Sequence, residues 1–104
     1  MGWVRVCAER ELKSARRFEY GERSFALFRL ADGIYALDDI CSHEYSRLSE
    51  GEIWRGQVMC PKHGSRFDIK TGKVEGLPAT RPVRTYPVKV EEEAVYIEIE
   101  DEEW

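Results

Sequence analysis

Apolar and polar residues alternate over short runs along most of the chain, and few segments hold a helical period beyond two turns. The pattern predicts an all-β fold. Strands are expected at Trp3 to Ala8, Arg16 to Tyr20, Ser24 to Leu30, Ile34 to Leu37, Ile53 to Trp54, Gln57 to Met59 and Ser65 to Asp68. Asp32-Gly33 should supply the positive φ of a tight hairpin turn between Ser24–Leu30 and Ile34–Leu37. A second hairpin is expected near the end, with Pro82 to Val90 going out, Glu91-Glu92-Glu93 turning, and Ala94 to Ile99 returning. Glu9 to Arg16 is the one segment read as a helical turn, and Lys70-Thr71-Gly72-Lys73 reads as a turn.

With 104 residues, 42% hydrophobic and 35% charged, the chain suits one ordinary globular domain, residues 1–104, with no room for a separate catalytic domain. No run of about 18 apolar residues could span a bilayer and no secretory leader is evident, so the expected location is the cytoplasm. Three cysteines are an odd number for a disulfide framework. Cys7, in an apparent strand, reads as a small buried hydrophobe without a function.

The net charge of −4 is uneven: residues 1–40 balance to 0, residues 41–84 to +3, and residues 85–104 to −7. The acidic run Glu100-Asp101-Glu102-Glu103 reads as a solvated tail, while the positive excess falls on the middle segment, where it could steer a protein partner. An acidic chain whose aromatic residues sit at strand positions gives no support to nucleic-acid binding.

That same middle segment holds both histidines of the sequence, each just after a cysteine: Cys41-Ser42-His43, then Cys60-Pro61-Lys62-His63. The 16 residues between His43 and Cys60 allow an out-and-back excursion that returns the second loop beside the first. Two thiolates and two imidazoles on facing loops suit either an iron-sulfur cluster or a tetrahedral zinc.

Cys-x-His followed by Cys-x-x-His-Gly, with Cys41, His43, Cys60, His63 and Gly64 in register, resembles the signature of Rieske [2Fe-2S] proteins. Leu48-Ser49-x-Gly51, Phe67-Asp68, Thr71-Gly72, Leu77-Pro78-Ala79 and Pro82 extend the likeness over roughly residues 25–100, and it is nearest to the ferredoxins that serve aromatic-ring dioxygenases. The resemblance implies a Rieske fold of antiparallel sheets with a cluster-binding part at about residues 40–82. It implies that Cys41 and Cys60 bind one iron and His43 and His63 the other. It also implies that a loop around Gly76-Leu77-Pro78-Ala79 covers the cluster, and that exposed histidines define the docking face.

Two thiolates, instead of four, leave an oxidised cluster site neutral, so it takes up an electron more easily; such centres lie at about −150 to +300 mV against about −400 mV for all-cysteine plant-type ferredoxins. Ser46 and Lys62 stand where high-potential relatives carry a disulfide, and Phe67 where they carry a tyrosine hydroxyl, which points to the lower half of that range. Ser65 matches a serine that donates to a bridging sulfide and pushes the value up. Oxidation should acidify iron-bound imidazoles, coupling electron transfer to proton release at alkaline pH.

The expected function is one-electron transfer from a flavin-dependent reductase to a terminal oxygenase, by a monomer that is not itself an enzyme. With both histidines committed and only 41 residues after His63, no second iron site of two histidines and a carboxylate can be built. The alternatives are a Rieske-like small subunit of a nitrite reductase and a structural Cys2His2 zinc module.

Overall fold

A computed structural model describes residues 2–42, 46–62, 64–77 and 79–99. Among them, eleven strands form three antiparallel sheets. The first sheet joins β1 (Gly2–Ala8), β11 (Ala94–Ile99) and β10 (Val88–Glu91), with β11 in the middle. The second runs in the order β2 (Ala15–Tyr20), β3 (Arg23–Leu30), β4 (Gly33–Asp38), β9 (Thr85–Tyr86). The third is a meander of β5 (Glu52–Trp54), β6 (Gln57–Met59), β7 (Arg66–Asp68) and β8 (Val74–Gly76).

The second sheet is the central layer. Phe25 and Leu27 of β3 join Cys7, Tyr86, Val95 and Ile97 in a core against the first sheet, while Ala26 and Phe28 join Leu37, Val58, Phe67 and Ile69 in a core against the third. This explains the unbroken apolar run Phe25-Ala26-Leu27-Phe28, all buried: alternate side chains enter different cores, so neither face of the strand needs a polar residue.

Four local expectations are corrected. The hairpin after β3 pairs Leu30 with Gly33, so its turn is Ala31-Asp32 and not Asp32-Gly33; Gly33 is already in the strand, at φ 154°. Only Glu9–Glu11 forms a 3-10 turn, not Glu9 to Arg16, because the Arg29 side chain donates to the carbonyls of Glu9 and Leu12 and Ala15 pairs with Phe28. The expected single strand Pro82 to Val90 is two: Thr85–Tyr86 pairs with β4, and after Pro87, which has no N–H to donate, the chain crosses to pair with β11. The final turn is Glu92-Glu93, at φ 51° and 66°, with Glu91 inside β10. β8 and a second 3-10 turn at Leu48–Glu50 add two short elements that the apolar pattern does not predict.

Candidate metal centre

The two cysteine loops emerge side by side from the core between the second and third sheets. The first leaves the end of β4. The Cys41 N–H donates to the Ser46 carbonyl at 2.9 Å, Ile40 and Arg47 form an antiparallel bridge below it, and the Leu48 N–H donates to the Asp39 carbonyl at 2.6 Å. The second is the tip of the β6–β7 hairpin. Here the Cys60 N–H donates to the Ser65 carbonyl at 2.7 Å and the Gly64 N–H to the Cys60 carbonyl at 3.0 Å. Gly64, at φ 80°, takes a left-handed conformation that a side chain would oppose.

Each loop thus runs from a cysteine to a serine five positions on and is closed by the same backbone hydrogen bond. Cys41 and Cys60 are 4% and 1% exposed and pack in one cluster with Leu48, Val58, Phe67 and Ala79. None of Cys7, Cys41 and Cys60 is in a disulfide. His43 and His63 lie outside the described residues, as do Pro78 and the acidic run from Glu100 to Glu103.

A third loop, between β8 and β9, is fastened to both others. The Ala79 N–H donates to Ser65 Oγ at 2.9 Å, and the Ser42 hydroxyl donates to the Arg81 carbonyl at 2.5 Å. Ser65 is 1% exposed; with its oxygen accepting from Ala79, its own proton is left to donate elsewhere. Phe67 is fully buried and brings no donor. Leu77, directly after β8, is 77% exposed.

Below the first loop lies a polar anchor that belongs to neither cysteine-histidine motif. Asp39, fully buried, accepts at Oδ1 from the Ser49 N–H (2.8 Å) and at Oδ2 from the Ser24 hydroxyl (2.9 Å) and the Arg47 guanidinium (3.0 Å). Arg17 Nε lies 3.3 Å from the same oxygen, and its guanidinium also pairs with Glu50. Burial works against the Asp39 charge, but the Ser49 N–H and hydroxyl, Arg47 and Ser24 outweigh it and hold the carboxyl below its ordinary range. The only sequence signal was an acid two places before Cys41, and its partners Arg17 and Ser24 come from distant strands. Cys7 lies buried in the other core, and burial foremost raises its thiol pKa.

Two buried thiols in one packing cluster, on loops closed by matching backbone hydrogen bonds, fit a metal-sulfur centre bridging the loops. Comparison with known proteins identifies the class. Residues 2–87 match the family model of the Rieske [2Fe-2S] domain, and the chain belongs to that family. It carries one Rieske-type [2Fe-2S] cluster.

Within the family it is of the ferredoxin type and its function is electron transfer. It is 40% identical over 106 residues, covering 99% of this chain and 100% of the relative, to the 3-phenylpropionate/cinnamic acid dioxygenase ferredoxin subunit of Photorhabdus laumondii subsp. laumondii. The ferredoxin of carbazole 1,9a-dioxygenase from Nocardioides aromaticivorans IC177 superposes with a TM-score of 0.87 at 31% identity, covering 93% of this chain and 97% of that one. A chain of the complex of reduced oxygenase and oxidized ferredoxin in carbazole 1,9a-dioxygenase gives a TM-score of 0.86 at 35% identity, with 91% of each chain covered. Among the described residues, no helix is long and apolar enough to cross a membrane.

Proposed function

We propose that Cys41 and Cys60 hold one iron and His43 and His63 the other, and that the chain, acting as a monomer in the cytoplasm, carries single electrons from a flavin-dependent reductase to a terminal oxygenase. The observation that carries this reading is the pairing of the two cysteine loops: equal in span, closed by equivalent hydrogen bonds, and bringing both thiols into one buried cluster. When bound, the cluster supplies a one-electron couple. The chain's own residues provide the rest: the two loops orient the ligands, Ala79 and its loop shield the thiols from water, and Ser65 keeps a hydroxyl proton for an acceptor inside the site.

Residues 1–104 work in this reading as one domain, with about 40–82 as its cluster-binding part. The carrier role, without catalysis, is supported by the absence of spare histidine for a second iron site. The partner assignment is supported by the relatives, which are ferredoxin components of dioxygenase systems, and by the solved complex of an oxygenase with its ferredoxin.

The test is composition and spectrum. About two irons and two acid-labile sulfides per chain are expected, with a broad visible absorption bleached by dithionite. Cys41→Ser and Cys60→Ser should each abolish both. A colourless protein holding one zinc overturns the reading.

A further inference from the structure

Asp39 is held from several directions at once. Besides the four side-chain contacts to Ser49, Ser24, Arg47 and Arg17, its N–H donates to the Ser24 carbonyl at 3.0 Å and its carbonyl accepts from Leu48 at 2.6 Å. One residue therefore connects β2, β3 and both stems of the first cysteine loop, since Ile40 and Arg47, the pair that closes the stem, flank it in space and chain. A buried ion pair of this kind is often replaceable by apolar side chains at no loss of stability, so stability alone does not explain it. A rigid arrangement of directed hydrogen bonds does fix geometry. It also places a carboxylate, partly compensated by two arginines, at the base of the loop that starts at Cys41.

We propose that Asp39 is a positioning residue for the redox centre: through the Arg17–Asp39–Arg47 clamp it sets the orientation of the first ligand loop, and its charge holds the reduction potential down. The inference rests on the ligand assignment proposed above. Removing the charge makes electron uptake easier, so the sign of the effect is fixed: the potential rises. The neighbouring Asp38 provides an internal control. Its carboxylate points to the other core, accepting from the Tyr86 hydroxyl and the Arg84 N–H.

The experiment compares wild type, Asp39→Asn, Ser24→Ala and Asp38→Asn by iron and sulfide content, voltammetry, and electron paramagnetic resonance of the reduced state. Asp39→Asn keeps the size and an acceptor for Ser49 but loses the charge and the arginine clamp. Its potential should rise, and its resonance should broaden or shift as the first loop gains freedom. Ser24→Ala removes one donor dipole from the carboxylate without changing charge, so it should lower the potential by a smaller step. Asp38→Asn should leave the resonance unchanged and move the potential less than Asp39→Asn.

If Asp39→Asn fails to fold, the Ser24→Ala shift decides. A folded Asp39→Asn with wild-type potential and spectrum, an unchanged Ser24→Ala, or an equal effect from Asp38→Asn overturns the proposal and leaves the cluster assignment standing. A wild-type protein without iron and sulfide overturns the assignment, and this inference with it.

Discussion

The two cysteine loops share their span and closing hydrogen bond, yet they are held by different means. The second caps a β-hairpin, and its stems are strands in register: Met59 pairs with Arg66 and Val58 with Phe67, with Val58 and Phe67 fully buried beneath. Among the described residues, the first has for a stem one bridge, Ile40–Arg47, with the two backbone bonds that flank it, and adds side chains, chiefly Asp39 and its arginines. A ladder of backbone bonds is insensitive to the side chains that compose it, whereas a charged clamp fails when one partner is lost. The difference teaches where each loop is vulnerable: the second to changes that move backbone, the first to single polar substitutions.

The largest effect should come from backbone displacement under the second loop. A Cβ on Gly51 would lie 1.9 Å from the Met59 carbonyl oxygen, although the Gly51 backbone itself, at φ −84° and ψ 168°, suits any residue. Gly51→Ala should cost about 3 kcal/mol in urea unfolding and reduce cluster content, because the strand leading to Cys60 must shift. Retained stability would show that the second loop's stem is softer than the ladder suggests.

Next comes pH, acting in the other core, which both loops lie outside. Burial first, then the hydrogen bond to Asp38, pushes the Tyr86 hydroxyl up to about 12. The unfolded phenol titrates at about 10. A raised pKa means the stabilisation is fully present below pH 10 and is lost as pH rises through about 12, a fall of about 2–3 kcal/mol across that window. Denaturant titrations at pH 9.5 and 12 should show it, and Tyr86→Phe should remove this part of the slope.

A smaller effect is expected at Ser65, which links the second loop to the covering loop. Ser65→Ala leaves the Ala79 N–H without its acceptor, at about 1–2 kcal/mol. It also withdraws a buried hydroxyl proton, so voltammetry should give a lower potential than wild type; an unchanged value would mean the hydroxyl points away from the cluster. The smallest effect belongs to Ser42, whose exposed bond to the Arg81 carbonyl ties the covering loop to the first loop. Ser42→Ala should cost under about 1 kcal/mol, read as faster bleaching of the visible absorption in a chelator.

The sheet architecture was legible where burial is one-sided: the alternating Ala94 to Ile99 and the runs at Gln57–Met59 and Trp3–Ala8 lie where the pattern put them. It was less legible where tertiary contacts overrode local preference, as when Arg29 ends the turn after Glu9, or when Pro87 sends the chain to another sheet. Val74–Gly76 was missed because three residues carry too little periodicity, and it forms against Arg66–Asp68 with an irregular register. At the site, the cysteine-histidine spacing announced the chemistry, but Asp39 resembled any surface acid until Arg17, Ser24 and Arg47 surrounded it.

The sequence by itself therefore determined the candidate ligands, two cysteine–histidine pairs grouped in two loops, and the all-β class, because each of these is written in neighbouring residues or in a short period. Only the tertiary structure decided how the loops are held: one by a strand ladder, one by a buried carboxylate whose donors come from β2, β3 and the far side of the loop. Burial and pairing of a charge depend on residues remote in the chain, and local pattern carries no record of them.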